Sequence, residues 1–151
     1  MGMESVNYFF RFKEPLVKEA IEKSLKESLE VFFNKKGDIV YSGLNFWIDL
    51  QVIEKDNWVS ALSIRIALSN PVNGIESSLK RLLDILFASF THSELVDLNT
   101  KAVINRLDSE AWDQIWQSYK AKREIFEDMH GCVELPVSAE LFFKYLDEKA
   151  N

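Results

Sequence analysis

Residues 46–68 of the chain read FWIDLQVIEKDNWVSALSIRIAL, and this stretch decides the fold class. It contains two runs in which every second residue is apolar, separated by the polar sequence Glu54–Asn57. Because successive side chains of a strand point to opposite faces, each run predicts a strand with one buried face. Two such runs around a short polar turn predict an antiparallel hairpin, and Pro71 ends it because proline cannot donate a ladder hydrogen bond. The apolar face consists of Phe46, Ile48, Leu50, Val52, Leu62, Ile64, Ile66 and Leu68.

The sequence before the hairpin predicts a strand and then a helix. Alternation of apolar residues over Val6–Phe12 predicts the strand. Pro15 stands where the first turn of a helix tolerates proline, and apolar residues then recur at helical spacing to about Asn34. Gly37 lies just past that predicted end, as is usual for a helix terminus. Ile39–Tyr41 is expected to form a further short strand.

The sequence after the hairpin predicts mainly helices. A leucine-rich helix is expected over Gly74–Phe90, with Asn73 as its cap and Glu76 three residues on, the spacing of a capping box. The wide apolar stripe of this helix makes it the predicted centre of the core. Residues 91–107 are interpreted as one short helix. A further helix is predicted from Asp108 or Ser109 to about Met129, then a short extended piece at 133–135 and a last helix capped by Ser138.

The predicted order of elements is β-α-β-β-α-α-α, within a single domain of residues 1–151. Strands that cluster early and helices that cluster late are typical of the α+β class. We therefore expect a small antiparallel or mixed sheet from the N-terminal half, covered by helices.

The formal net charge is −6 at neutral pH, and it is unevenly distributed. Residues 76–151 contain fourteen acidic and nine basic side chains, and so hold −5 of this charge. Such a surface repels the phosphates of nucleic acids and anionic lipids, so no nucleic-acid or membrane partner is expected. An acidic face attracts a basic protein partner, although a solvated surface that aids solubility accounts for the same charge.

The single cysteine and the N-terminal residues point to a cytoplasmic protein. Cys132 has no second cysteine with which to form an intramolecular disulfide, which fits a reducing compartment. The first residues lack the basic and apolar segments of a secretory signal. No apolar run approaches the roughly 20 residues of a membrane-spanning helix.

Catalytic chemistry has little support in the sequence. His130 lies two residues from Cys132, but the acidic residues nearby disfavour the thiolate that a cysteine nucleophile requires. No spacing typical of a zinc site, a phosphate-binding loop or a dinucleotide motif is present, so no catalytic residue, metal or cofactor is assigned.

Two groups of residues are predicted to bind a partner. Glu124, Glu127 and Asp128 lie near the end of a predicted helix, where negative charge opposes the helix dipole. A local ion-pair network with Lys120, Lys122 and Arg123 is the alternative explanation.

The second group lies on the hairpin, where Trp47, Asp49 and Gln51 share the face opposite the apolar one. An exposed aromatic side chain with polar neighbours is typical of interfaces. The alternative is that a late helix covers Trp47.

The hairpin, the leucine-rich helix that follows it and the acidic late helices together resemble small α+β immunity proteins of bacterial toxin systems, including contact-dependent growth inhibition. The resemblance is one of size, charge and layout, without a diagnostic motif. It implies a non-enzymatic, cytoplasmic protein that binds and blocks a basic toxin domain, often a nuclease. Two alternatives remain open: a small hydrolase or transferase with a carboxylate-based site, and an adaptor subunit that forms a homodimer through the open face of its sheet.

Overall fold

The computed structural model describes the backbone of residues 4–150 and the side chains of residues 4–148. This part of the chain forms a seven-stranded sheet and four helices, which confirms the α+β class. The helices are α1 (Lys18–Ser28), α2 (Val72–Ser89), α3 (Ser109–His130) and α4 (Ala139–Ala150). The strands are β1 (Ser5–Leu16), β2 (Val31–Phe33), β3 (Ile39–Gly43), β4 (Phe46–Lys55), β5 (Trp58–Ala67), β6 (Ser93–Asp97) and β7 (Val103–Ile104). Their order in the sheet is β2-β3-β4-β5-β1-β6-β7, with antiparallel pairing throughout.

The predicted hairpin is confirmed as β4 and β5. Asp49 pairs with Arg65, and Leu50 pairs with Ile64. Asp56 and Asn57 connect the two strands with positive φ angles of 54° and 71°. Two consecutive residues with positive φ are typical of the tight turns whose twist matches that of the strands they join, and Asp and Asn tolerate this conformation better than most residues.

The register of the strands gives the sheet two faces that differ in burial. On the first face, Tyr8 and Phe10 are fully buried under helices α3 and α2. The ring of Phe10 meets that of Phe87 on α2, with centroids 5.0 Å apart. On the second face, which we call the open face, most central side chains are half-buried or exposed. The open face carries Asn7, Phe9, Arg11, Trp47, Asp49, Gln51, Ser63 and Arg65.

Helices α2 and α3 supply much of the core, as the apolar stripes predict. The buried leucines of α2 are Leu79, Leu82, Leu83 and Leu86, and α3 buries Trp112, Ile115, Trp116, Tyr119 and Phe126. The predicted cap at Asp108 is confirmed, since its carboxylate accepts the N–H of Ala111 at 2.8 Å. Ser138 likewise accepts the N–H of Leu141 at the start of α4.

The prediction of one long first helix is wrong at both ends. Pro15 lies in β1, where the partner strand β6 pairs only as far as Phe12, so that a missing N–H is tolerated. Helix α1 ends at Ser28, and Val31–Phe33 forms β2. Gly37, with φ of 84°, lies in the turn between β2 and β3 and does not end a helix.

Two further expectations are corrected by the structure. The region 91–107 contains β6 and β7, not a short helix. Asn73 is inside the first turn of α2, so the capping box is absent and Pro71 takes the cap position without a side-chain hydrogen bond. Position 74, directly after Asn73, requires glycine, because a Cβ there would collide with the carbonyl oxygen of Asn45.

The extended piece expected at 133–135 is irregular, but it is tied to the end of β5. The N–H of Leu135 donates to the carbonyl of Ser69 at 2.7 Å, and the Ser69 hydroxyl donates to the carbonyl of Leu135 at 2.9 Å. Within residues 4–150, no helix combines the length and apolar character needed to cross a bilayer.

Candidate functional site

A polar cleft of about 320 Å³ opens on the sheet between the β2–β3 turn and the start of α4. The alternation of β4 directs Trp47, Asp49 and Gln51 to the open face, and all three predicted residues line the cleft. We call it the sheet cleft. Its other lining residues are Asn34, Lys36, Asp38, Leu50, Ser63, Arg65, Ser138 and Glu140.

Trp47 is half-buried in this cleft. Its ring meets the edge of Phe32, with centroids 5.5 Å apart, and its backbone N–H donates to Oδ1 of Asn70 at 2.7 Å. The start of α4 comes close to it, because Ser138 and Glu140 line the same cleft. Trp47 is therefore neither fully exposed nor covered by the late helix, and its role in partner binding stays a prediction.

Asp49 connects the sheet to α4. Its Oδ1 accepts the indole N–H of Trp47 at 3.0 Å, and its Oδ2 accepts the N–H of Ala139 at 3.3 Å. Burial raises the pKa of this carboxyl above its ordinary value, while the two hydrogen bonds act in the opposite direction. A carboxylate with a raised pKa in a cleft is a feature of functional sites, but both of its oxygens have partners here.

Two charged residues of the sheet cleft, Arg65 and Asp38, lack hydrogen bonds of the kind that Asp49 makes. The alternation of β5 predicts that Arg65 lies on the open face. Asp38 was not predicted there, because the turn that contains it was interpreted as the region after a helix. Among the described residues, neither the guanidinium of Arg65 nor the carboxylate of Asp38 makes a hydrogen bond or an ion pair. Lys36 and Glu140 do pair across the cleft, at 2.8 Å.

The three predicted acidic residues of α3 differ in their location and in their ion-pair partners. Glu124 and Glu127 line a shallow groove of about 380 Å³ beside Val72, and Asp128 is exposed outside it. Glu127 accepts a hydrogen bond from Arg123 at 2.9 Å, so the ion-pair explanation holds for this residue. Glu124 and Asp128 have no ion-pair partner in the described part of the chain.

Arg123 was not recognised as a central residue, and it is buried. Its guanidinium donates to the backbone carbonyls of Leu68, Asn70 and Val133, and it pairs with Glu127 and Glu134. The only sequence signal was its position on the apolar stripe of α3, four residues after Tyr119 and three before Phe126. A charged residue on that stripe indicates a buried network.

The outer surface of α3 exposes apolar side chains beside the unpaired carboxylates. Ile125 is 50% exposed and Met129 is 55% exposed. Residues four apart on a helix are neighbours, so Ile125 and Met129 form one row and Glu124 and Asp128 form the adjacent row. We call these four residues the α3 patch.

A series of hydrogen bonds connects the sheet cleft to α3. Trp47 donates its N–H to the side chain of Asn70, and Arg123 donates to the carbonyl of the same residue at 3.0 Å. Arg123 in turn holds Glu127. The two predicted binding regions are therefore joined through Asn70, which is itself buried.

The residues considered for catalysis are not assembled into a site. The Nε2 of His130 is buried without a hydrogen-bond partner in the described structure, and its ring lies 4.9 Å from that of Phe126. Cys132 is exposed, and no hydrogen bond joins it to His130 within residues 4–148. No group of three His, Cys, Asp or Glu residues in that range is arranged to hold a metal ion.

No family model matches this chain, and neither the curated proteins nor the solved structures include a significant match to it.

Proposed function

We propose that this protein binds and inhibits a basic protein partner, a toxin domain, through the outer surface of α3. The observation that carries the proposal is the α3 patch, in which the exposed Ile125 and Met129 lie beside the unpaired Glu124 and Asp128. The toxin as partner rests on the resemblance to immunity proteins in size, charge and layout.

The chemistry of the α3 patch favours a protein ligand. Apolar side chains next to a charged border are the usual arrangement of an interface, in which the centre excludes water and the border selects the partner. Methionine adapts to irregular partner surfaces because its side chain is unbranched and flexible. A small-molecule site would instead be concave, whereas Ile125, Asp128 and Met129 are exposed on the outside of the helix and Glu124 borders only a shallow groove.

Charge indicates which partner the patch fits. The second half of the chain holds −5 of the net charge of −6, and α3 lies within it. Opposite charge across an interface steers association and disfavours wrong partners. A basic domain is the complement of this surface.

A second candidate function is supported by one observation. Asp49, in the sheet cleft, is a half-buried carboxyl with a raised pKa, which is the property expected of a general acid or base in a small hydrolase or transferase. Because Trp47 and Ala139 occupy both of its oxygens, the inhibitor remains the better-supported function.

The test of the inhibitor is affinity capture from the native cells followed by reconstitution. The wild-type chain and the variant Glu124→Lys/Asp128→Lys serve as parallel baits, and captured proteins are identified by mass spectrometry. We expect the wild type to retain a basic polypeptide that the variant loses. The purified partner should then lose its activity when one equivalent of wild-type protein is added.

A charge-matched control separates the α3 patch from net charge. Glu27→Lys/Glu54→Lys changes the net charge by the same amount at exposed positions on other elements. This variant should retain the partner. Equal capture by all three baits, or a partner whose activity survives an excess of the protein, would contradict the proposal.

A further inference from the structure

The sheet cleft contains one cation and one anion, Arg65 and Asp38, whose side chains make no hydrogen bond or ion pair within residues 4–148. Arg65 lies on β5 opposite Asp49, and Asp38 directly precedes β3, two strands away. Both side chains are half-buried and line the sheet cleft, and neither has a hydrogen-bond or ion-pair partner among the described residues. Strand spacing and register place their Cα atoms about 12 Å apart.

Asp49 and Glu140 interact electrostatically with Arg65, and Lys36 does so with Asp38, but none of these pairs forms a direct ion pair in the described structure. Asp49, between Arg65 and Asp38, is occupied by Trp47 and Ala139, and Lys36 is held by Glu140. A charged group that is partly removed from water usually has a partner, because the lost hydration costs free energy that only an opposite charge or a hydrogen bond offsets. The arrangement is therefore complementary to a ligand that carries both signs of charge.

We propose that the sheet cleft binds a basic amino-acid unit with a free carboxylate, either the C-terminal residue of a polypeptide or a free amino acid. The carboxylate pairs with Arg65, whose planar guanidinium matches it in two parallel hydrogen bonds. The side-chain cation reaches Asp38. A lysine carries its ammonium group on a flexible four-carbon stem, and that stem lies along Trp47.

This site is independent of the α3 patch and needs no residue of it. Polar groups that border the cleft, Gln51 and Ser63, offer further hydrogen bonds to the ligand. The Trp47 indole N–H lies within the cleft, so its resonance reports on occupation.

The experiment is an NMR titration of the purified chain that follows the Trp47 indole resonance, assigned with Trp47→Phe. The compounds are Nα-acetyl-L-lysine, free L-lysine, Nα-acetyl-L-lysinamide, which lacks the carboxylate, and Nα-acetyl-L-norleucine, which lacks the cation. We expect saturable shifts with acetyl-lysine or lysine, and at least about tenfold weaker binding of the other two, since each lacks one charge-assisted pair. Acetyl-lysine binding identifies a chain end, and binding of lysine alone identifies the free amino acid.

Variants test the two charges separately. Arg65→Gln and Asp38→Asn should each weaken binding about tenfold or more, with the remaining amide resonances in place because neither side chain holds the fold. Arg11→Gln is the matched control, since Arg11 lies on the same open face but is paired with Glu94, and it should leave binding unchanged. The absence of a saturable shift, equal binding of lysinamide, or insensitivity to Arg65→Gln would overturn the proposal.

Discussion

At the scale of single residues, Arg123 connects three separate parts of the molecule. It brings together the end of β5, the region after α3 and the carboxylate of Glu127. Replacement by methionine should lower the free energy of unfolding by about 3 to 5 kcal/mol, because three backbone carbonyls, two of them buried, lose their donor and an ion-pair network is broken. Urea denaturation of Arg123→Met against the wild type measures this loss.

Lys120 provides the control for that experiment, since it lies one turn earlier on α3 and is exposed. Lys120→Met should change the free energy of unfolding by less than about 0.5 kcal/mol. If Arg123→Met lowered the free energy of unfolding no more than this control, Arg123 would contribute little to stability, and its hydrogen bond to Asn70 would not stabilise the fold.

Asp49 should make stability depend on pH in a defined direction. Burial raises its pKa in the folded state above the ordinary value of 3.8, so the folded chain binds this proton more tightly than the unfolded chain. Asp49 therefore lowers stability as pH rises from the ordinary pKa through the raised one. Asp49→Asn lacks this titration, so its stability relative to the wild type should increase as pH rises above the ordinary pKa of 3.8.

Urea denaturation at several pH values between about 3.5 and 7 gives the free energies of unfolding of both proteins for this comparison. The asparagine loses one acceptor toward Ala139 or Trp47, and this cost is the same at every pH, so only the slope tests the titration. A flat difference would mean that the hydrogen bonds balance burial at Asp49, and the opposite slope would mean that they outweigh it.

At the scale of elements, α2 is the helix whose removal from the core should cost most. Leu83 is fully buried, and Leu83→Ala should lower the free energy of unfolding by about 2 to 5 kcal/mol, the range for truncating a buried leucine. Lys80→Ala, on the exposed side of the same helix, is the control. A change below about 0.5 kcal/mol at Leu83, measured by urea denaturation, would contradict the central place of α2.

Apart from β3, a five-residue strand that was expected at Ile39–Tyr41, the elements that the sequence predicted correctly are those with enough residues to show a period. The hairpin has ten residues in each strand, and α2 and α3 have 18 and 22. The strands that were missed, β2, β6 and β7, have three, five and two residues. So few residues fit a helical stripe and an alternating strand equally well, and only pairing with a neighbouring strand decides between them.

The same limit applies to the candidate site. Alternation along β4 was sufficient to place Trp47, Asp49 and Gln51 on one face, and all three line the sheet cleft. Asp38 and Lys36 reach that cleft because the β2–β3 turn folds next to it, which depends on the missed strand. The role of Arg123 depends on carbonyls more than 50 residues away in sequence, and no local pattern contains that information.

At the scale of the whole molecule, the acidic surface and the stability network overlap at Glu127 and Glu134, which both pair with Arg123. Glu127 holds Arg123, whereas Glu124 and Asp128 hold nothing among the described residues. Reversal of Glu127 would place a cation beside a buried guanidinium and destabilise the fold. A test of partner binding should therefore change only Glu124 and Asp128, so that any loss of binding is separate from a loss of structure.

The α3 patch should also set the rate at which a basic partner associates. Exposed charges at the border of an interface act mainly on the association rate constant and on its dependence on salt. Glu124→Lys/Asp128→Lys should therefore slow association with the captured partner and flatten its salt dependence, while the melting temperature stays within about 2 °C of the wild type because neither carboxylate has a partner to lose. Stopped-flow association between about 50 and 500 mM salt, over which the Debye length falls severalfold, provides the measurement. Glu27→Lys/Glu54→Lys should keep most of the wild-type rate and salt dependence, because its charges lie on other elements. If the wild type associates at the same rate across that range and the double reversal is equally fast, the carboxylates of the α3 patch are a solvated surface, and binding would have to rest on Ile125 and Met129 or on the open face of the sheet.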